Sequence, residues 1–191
     1  MRYPPDYKAT ARAKLIEAGG ALAKKAGFAS TGMDALASAA GVTTGALYSQ
    51  FRSKTELLYA IVDHELSRTA EAFAGKTGED LKRVLAWYLS PRHAANPDKG
   101  CAIPALGPEI SRADEATRQR FETLLEQLVS TVEEGTSDRE KAWALLAQSI
   151  GGVILARAVL TPETQQEILE AVQSTALALL ANASSQKQQQ P

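Results

Sequence analysis

Apolar residues recur along most of the chain at the three- and four-residue spacing of amphipathic helices. Runs that alternate apolar and polar residues with β-branched enrichment, which would indicate strands, are missing from the sequence. The pattern therefore predicts an all-α protein of about nine helices. Three short helices come first, and about six longer ones follow.

Glycines and capping residues mark the ends of the first three predicted helices. The first helix spans residues 8–26. The second spans residues 32–40, has Thr31 as its N-cap and ends at Gly41, where glycine permits the left-handed backbone of a sharp turn. Thr43 caps the third helix.

The longer helices are bounded by the same kinds of signal. Residues 91–108 are rich in Pro, Gly and Asn and predict a loop with at most a short helix. The last helix is expected to run to about residue 182. The other boundary signals are Ser-x-x-Glu capping boxes at 53–56 and 137–140, an N-cap at Asp114, a helix end at Gly135 and proline at the first helical position, Pro162.

The basic residues are concentrated at the N-terminus. Residues 1–54 contain eight Lys/Arg and three acidic residues, a net charge of +5, whereas residues 55–191 carry −6. A basic head on an acidic body suggests that only the head meets a polyanion, although short segments also differ in charge by chance.

The cellular compartment is inferred from cysteine and from hydropathy. Cys101 is the only cysteine, so no internal disulfide can form. The N-terminus has no apolar signal-peptide core, and no apolar stretch is long enough to cross a membrane. We expect a cytoplasmic protein with no membrane partner.

Residues 31–54 carry the most informative pattern, two short helices on either side of Gly41. Val42, Leu47 and Phe51 would bury the second of these helices against the first. The opposite face of the second helix carries small and polar side chains. Such a face fits the DNA major groove, where hydroxyls and amides meet base edges. The turn alone is equally compatible with an ordinary helical hairpin. The residues left on or near the outward face are Thr43, Thr44, Gly45, Ala46, Tyr48, Ser49 and Gln50.

The same region closely resembles the TetR family of transcriptional regulators over about residues 8–60. In that family the third helix is the recognition helix. The resemblance implies that Thr44, Gly45, Ala46 and Gln50 approach base edges and that Thr31, Thr43, Tyr48 and Lys54 contact phosphates. The matching positions are Gly27-Phe28, Thr31, Leu36-Ala37, Ala40-Gly41-Val42, Gly45, Leu47-Tyr48, Phe51 and Ser53-Lys54.

One departure from the family lies in the first helix. Gly19 and Ala23 stand where the family usually has alanine and a bulky phenylalanine. We expect looser packing of the first helix there.

The resemblance also implies a domain organisation. Residues 1–53 are expected to form a helix-turn-helix DNA-binding domain. Residues 54–183 are expected to form a helical effector-binding and dimerisation domain, and residues 184–191 a disordered tail. Such a regulator binds a near-palindromic operator as a homodimer and is released by a small-molecule effector, with repression as the family default.

Two sets of apolar residues are assigned to the second domain. Gly151 and Gly152 lie inside a predicted helix, where each glycine costs about 1 kcal/mol relative to alanine. They suggest either a close approach of helices at a subunit interface or a tolerated local flaw. The effector candidates are mainly aromatic and apolar residues in or near the segment 91–108. They predict a neutral or weakly charged hydrophobic ligand. Each of them is also a plausible core residue. The predicted dimer residues are Leu146, Ile150, Gly151, Gly152, Val153, Ile154, Ile168, Leu169 and Val172. The predicted effector residues are Phe73, Trp87, Tyr88, His93, Cys101, Phe121 and Leu125.

Two competing classes of protein are an enzyme and a purely helical scaffold. No P-loop, dinucleotide-binding turn or His/Cys metal cluster occurs in the sequence, so we expect no catalysis, cofactor or metal. Cys101 with His93 could be imagined as a nucleophile and base, but nothing else completes such a site. Cys101 is otherwise a buried residue, a pocket residue or a redox thiol.

Overall fold

The structure, a computed structural model, describes the backbone of residues 5–187 and the side chains of residues 9–180. Within this range all regular structure is helical, which confirms the predicted all-α class. Ten α-helices and one 3₁₀ helix are present there, where about nine helices were expected. They are α1 (Pro5–Ala26), α2 (Met33–Ala39), α3 (Thr44–Gln50), α4 (Lys54–Phe73), α5 (Gly78–Tyr88), α6 (Pro91–Ala95), η1 (Pro97–Lys99), α7 (Ile103–Ile110), α8 (Glu115–Thr136), α9 (Arg139–Ala158) and α10 (Pro162–Lys187).

Several predicted helix boundaries are confirmed by their capping geometry. Gly27 and Gly41 both have positive φ, 81° and 68°, as the ends of α1 and α2 require. The hydroxyl of Thr43 accepts a hydrogen bond from the Ala46 N–H at 3.1 Å and caps α3. Asp114 caps α8 by accepting from the Thr117 N–H at 3.0 Å, and hydrogen bonding to Thr117 lowers the pKa of the Asp114 carboxyl.

The predicted cap at Thr31 was wrong. Gly32 occupies the N-cap position of α2, without a side-chain hydrogen bond. The Thr31 hydroxyl instead donates to the Gly27 carbonyl oxygen at 2.6 Å, and the residue is only 6% exposed. A threonine can bond back to a carbonyl four residues earlier as readily as it caps a helix, and spacing alone does not separate the two.

Residues 91–108 are mostly helical and not the predicted loop. Ser90 caps α6 through its hydroxyl, which accepts from the His93 N–H at 3.2 Å, and Pro91 sits in the first turn where a missing N–H costs nothing. η1 and most of α7 fill the rest of the segment. Pro91 starts a helix, whereas the proline-rich composition predicts a break.

Three boundaries in the C-terminal half also differ from expectation. Gly135 lies inside α8, which ends at Thr136. The N-cap of α9 is Asp138, not Ser137, because Ser137 takes a left-handed φ of 55° and the Asp138 carboxylate accepts from two N–H groups of the first turn. α10 continues to Lys187, so residues 184–187 of the expected disordered tail are helical, and residues 188–191 lie outside the described range.

The chain divides into two compact units. The head unit comprises Met1–Leu66 and Pro97–Glu122, and the body unit comprises Ser67–Asn96 and Thr123–Pro191. The predicted domain boundary at residue 53 stays a prediction. The head unit nevertheless includes η1 and α7, which sequence order had assigned to the second domain.

The core of the head unit packs α1 against α2, α3 and α4. Small residues in α1 permit this approach: Ala23 is fully buried, and a Cβ at Gly19 would lie 3.5 Å from Ile61 Cδ1. The looser packing expected at Gly19 and Ala23 is therefore not seen. The largest fully buried side chains of the head unit are Leu15, Leu36, Leu47, Phe51, Leu57, Ile61 and Leu106.

A buried ion pair lies within this core. The Lys24 ammonium lies 2.8 Å from Glu65 Oε2 and donates to the Gly100 carbonyl oxygen at 3.0 Å. The two side chains are 0% and 3% exposed. A Cβ at Gly20 would lie 2.9 Å from Glu65 Oε1, so glycine leaves the space in which the carboxylate sits. The pair joins α1 to α4 and to the backbone between η1 and α7.

Replacing Lys24 with methionine is expected to destabilise the protein by about 3–5 kcal/mol, because it leaves the Glu65 carboxylate buried without its partner. The double variant Lys24→Met/Glu65→Leu should recover much of that loss, since no charge then remains in the core. Urea unfolding followed by circular dichroism measures both changes.

Lys25 supplies the matched control. Its side chain is 62% exposed and lies 3.8 Å from Asp98, so Lys25→Met should change stability by less than about 1 kcal/mol. A loss in Lys24→Met no larger than that in Lys25→Met would show that the buried pair does not hold the head unit together.

Candidate nucleic-acid interface

α2 and α3 form a helical pair around the turn at Gly41. The Val42 N–H donates to the Ala37 carbonyl oxygen at 3.0 Å and closes the turn. Leu47 and Phe51 are fully buried, which fixes one side of α3 against the core and turns the opposite side outward. Val42 was expected to be buried with them but is only half-buried.

Most of the predicted DNA-contacting residues lie on the outer side of α3 or next to it. Tyr48 is the largest of them and is 52% exposed. Small residues flank it, so the outer surface of α3 is low and polar. The exposed members of the set are Thr43, Gly45, Ala46, Tyr48 and Ser49, the half-buried ones are Thr44, Gln50 and Lys54, and Thr31 is buried.

Two predicted phosphate contacts are engaged within the head unit. Thr31 is buried and its hydroxyl is bonded to Gly27, so we leave it out of the proposed contact surface. The Lys54 ammonium donates to the Ala29 carbonyl oxygen at 3.0 Å and lies 5.0 Å from the centre of the Phe28 ring. Lys54 remains half-exposed and keeps donors for a phosphate.

α3 is held at both ends by residues that sequence reasoning did not assign. At its C-terminus Arg12 donates to the Gln50 carbonyl oxygen at 2.7 Å, and its guanidinium carbon lies 4.1 Å from the centre of the Phe51 ring. At its N-terminus the Thr44 hydroxyl donates to Asp34 Oδ1 at 2.6 Å. Arg12 precedes its partner by 38 residues, and no spacing rule connects residues that far apart.

Glu109 of α7 holds the loop between α1 and α2. Its two carboxylate oxygens accept hydrogen bonds from the N–H groups of Phe28 and Ala29, each at 2.9 Å. With Lys54 on the Ala29 carbonyl oxygen, both polar groups of Ala29 are bonded to side chains from other helices. A segment outside the predicted DNA-binding domain thus positions the loop leading into α2.

The predicted effector residues divide between the two units. Cys101 and Phe121 belong to the head unit, whereas Phe73 and Leu125 belong to the body unit with the three residues near α6. Both Cys101 and Phe73 are buried, and Phe121 and Leu125 are half-buried. The three residues near α6 are Trp87, Tyr88 and His93.

The rings of these three residues come together in the body unit. The His93 ring centre lies 4.9 Å from that of Trp87 and 4.6 Å from that of Tyr88. His93 is 2% exposed, and its Nδ1 lies 2.6 Å from the Tyr88 carbonyl oxygen, which makes Nδ1 the donor. Trp87 is 49% exposed, so this aromatic cluster reaches the surface of the unit.

The predicted dimer residues do not share one surface. Gly152 is buried against α10 of its own chain, where a Cβ would lie 3.0 Å from Val172 Cγ2. The close helix approach that its small size permits is thus within one protomer. Leu146, Gly152, Val153 and Leu169 are buried, whereas Ile150, Gly151, Ile154, Ile168 and Val172 are at least partly exposed.

A helix pair joined by a glycine turn, with the polar side of its second helix turned outward, has the arrangement of a helix-turn-helix. Comparison with known proteins agrees. Residues 15–61 match the family model described as bacterial regulatory proteins, tetR family. The chain therefore carries the tetR-family DNA-binding domain, and its relatives by fold are TetR-family transcriptional regulators.

Solved structures resemble nearly the whole chain at low identity. The reduced form of NemR from E. coli has a TM-score of 0.72 at 20% identity, covering 87% of this chain and 95% of that one. A tetR-family regulator from Streptomyces coelicolor has 0.71 at 16%, covering 93% and 83%. The fatty acid degradation regulator FadR from Bacillus halodurans has 0.65 at 16%, covering 94% and 97%. No curated protein sequence matches the chain.

In the described part of the chain no helix is long and apolar enough to cross a membrane. No group of three or more His, Cys, Asp or Glu side chains there is placed to hold a metal ion.

Proposed function

We propose that the protein is a ligand-responsive transcriptional regulator that binds a near-palindromic operator as a homodimer, represses the adjacent genes and is released by a small hydrophobic effector. The observation that carries this proposal is the outer surface of α3. It is small and polar, it is anchored at both ends, and it lies within the segment that matches the tetR family. A recognition helix must be held rigidly, because base-edge hydrogen bonds tolerate little displacement.

The homodimer is supported by a largely apolar exposed face in the body unit. On α9 this face includes Trp143, Ile154 and Leu155, which are 36%, 42% and 57% exposed. Large apolar side chains exposed together mark an interaction surface in a protein that buries the rest of its core. The exposed or half-exposed residues of this α9–α10 face are Trp143, Ala144, Ala147, Gly151, Ile154, Leu155 and Ala158 on α9 and Ile168, Ala171, Thr175 and Ala178 on α10.

Two acidic residues of α10 lie away from this face. Glu163 and Glu170 are exposed and, at about 100° per residue, point to the side of α10 opposite Ile168, whereas Glu167 lies one turn from Ala171 at the edge of the face. We propose that the α9–α10 face meets its copy as a four-helix bundle. This revises the predicted interface. Gly151, Ile154 and Ile168 remain in it, the four buried residues do not, and the half-buried Ile150 and Val172 are not part of the face.

The effector site is proposed around the aromatic cluster of Trp87, Tyr88 and His93. Its tryptophan and tyrosine rings offer apolar surface to a hydrophobic ligand. Phe73 and Leu125 add apolar side chains in the same unit. Cys101 and Phe121 lie in the head unit, so we leave them out of the proposed effector site.

Operator binding is tested first by selecting DNA from a random pool and measuring affinity by gel shift. Tyr48→Phe and Lys54→Ala should each weaken the selected operator, because each removes a donor to phosphate. Lys54→Ala should also reduce the salt dependence of binding by about one counterion per half-site. Lys82→Ala, the same charge change on α5, is the control and should bind like the wild type.

Unchanged operator affinity in both Tyr48→Phe and Lys54→Ala would show that α3 and its neighbours are not the recognition surface. Because Lys54 also bonds Ala29, its variant is checked by thermal unfolding, and Tyr48→Phe supports the same conclusion without touching that bond.

The dimer is tested by substituting leucine for each of two adjacent glycines of α9. Gly151→Leu should give a folded monomer, because nothing lies within 4 Å of a Cβ there in one protomer while the proposed partner would be pushed away. Gly152→Leu should lower the stability of the protomer itself, since Val172 already lies 3.0 Å from a Cβ. Light scattering reports mass, and circular dichroism reports folding. A wild-type monomer at micromolar concentration would refute the dimer.

The effector site is tested by tryptophan fluorescence, since the chain has two tryptophans. Trp143→Phe leaves Trp87 as the reporter, and because Trp143 lies on the proposed dimer face, light scattering and gel shift first check that this variant keeps its mass and its operator affinity. Compounds from a library of neutral hydrophobic molecules that release the operator should change Trp87 emission, and Trp87→Ala should lose release while still binding DNA. Release without any change in Trp87 emission would place the site elsewhere.

A further inference from the structure

The hydroxyl of Thr44 is held by a carboxylate at the start of α3. Thr44 Oγ1 donates to Asp34 Oδ1 at 2.6 Å, across the turn that joins α2 to α3. An ionised carboxylate only accepts hydrogen bonds, so the proton between these two oxygens belongs to Thr44. The bond to a charged acceptor is stronger than a bond to a neutral one, and it fixes the rotation of the hydroxyl.

This bond changes what Thr44 offers to a base. A free threonine hydroxyl both donates and accepts, so it meets the amino groups and the keto oxygens of bases equally well. With its proton on Asp34, the Thr44 oxygen retains only lone pairs. In the major groove the matching groups are the N6 amino of adenine and the N4 amino of cytosine, whereas guanine O6 and thymine O4 are acceptors.

The neighbouring polar residues of α3 differ from Thr44 in this respect. The Ser49 hydroxyl donates to the Ala46 carbonyl oxygen of its own helix at 2.7 Å, a neutral acceptor. Gln50 carries both donors and an acceptor on its amide. Thr44 is therefore the residue of α3 whose hydroxyl proton is engaged by a charged group outside the helix.

Contacts other than the one with Asp34 also set the position of Thr44. Thr43 caps the first turn of α3 through the Ala46 N–H, and Arg12 holds the last turn through the Gln50 carbonyl oxygen. Removing the Asp34 carboxylate therefore frees the Thr44 proton while these two anchors of α3 stay in place.

We infer that Asp34 sets the base preference of the regulator by making Thr44 an acceptor only, so that each operator half-site carries an adenine or cytosine amino group opposite Thr44. This inference rests on the proposed function, since it requires that α3 enters the major groove. Asp34 is a positioning residue here and acts through Thr44.

The test begins with operators selected by the wild type from a random DNA pool. The position read by Thr44 is the one whose base preference changes in Thr44→Val, a substitution that keeps the shape and removes the hydroxyl. At that position the amino group is then deleted by placing purine for adenine or 2-pyrimidinone for cytosine. The wild type should lose about 3- to 10-fold in affinity per half-site, the size of one hydrogen bond.

The variants separate the two residues. Thr44→Val should be indifferent to the deleted amino group, and Thr44→Ser, which keeps the hydroxyl, should behave as the wild type. Asp34→Ala should accept a keto oxygen at that position within about 2-fold of the amino group, because its Thr44 can donate again. Removing the negative charge of Asp34 also raises the affinity for every DNA sequence, because that charge repels the phosphates. Ratios of affinity between operators are therefore compared, and not single affinities.

Each outcome decides the matter. A keto preference at the Thr44 position, or a base preference in Asp34→Ala identical to that of the wild type, overturns the inference and leaves operator binding intact. If no position changes its base preference in Thr44→Val, or if an amino preference disappears in Asp34→Ala at a position that Thr44→Val leaves unchanged, Thr44 is not the residue through which Asp34 acts, which also overturns the inference. A wild type that selects no sequence overturns the proposed function and this inference together.

Discussion

The head unit is organised around a charged pair that has no access to water. Lys24 and Glu65 lie 2.8 Å apart with almost no exposed surface, and each would cost several kcal/mol to bury alone. The pair is tolerated because each partner compensates the charge of the other and the ammonium donates a further hydrogen bond to the Gly100 carbonyl oxygen. As a result α1, α4 and the backbone before α7 are fixed relative to one another, and Gly20 has to remain without a side chain.

The helix-turn-helix is supported on that frame by polar contacts at its edges. Glu109 holds the loop before α2, Arg12 the end of α3 and Asp34 its first residue. The apolar core sets which side of α3 faces outward, and these polar contacts set where its ends lie. Recognition of bases needs both, because a helix free to slide along its axis would present its side chains to the wrong base pairs.

In the body unit, residue size separates the inside of the protomer from its proposed interface. Gly152 and Val172 bring α9 and α10 close together within one chain. One residue earlier, Gly151 has open space above it and lies among exposed apolar side chains. Two adjacent glycines therefore have different roles, since successive residues of a helix point about 100° apart.

The sequence by itself determined the helical class, the helix-turn-helix and most of the caps. These features depend on periodicity and on neighbouring residues, and Gly27, Gly41, Thr43 and Asp114 act within one or two helical turns of their own position. Errors arose where local signals compete. Pro91 started a helix instead of breaking one, and the Thr31 hydroxyl bonded back to Gly27 instead of capping α2.

Only the tertiary structure decided the contacts between residues far apart in the chain. Lys24 meets Glu65 across 41 residues, Glu109 meets Phe28 across 81, and no pattern of spacing carries such pairings. It also decided which apolar residues of α9 and α10 are core and which are exposed. Leu146 and Ile154 look alike in sequence, but one is buried and the other 42% exposed, because burial depends on what packs against each side of a helix and not on the residue itself.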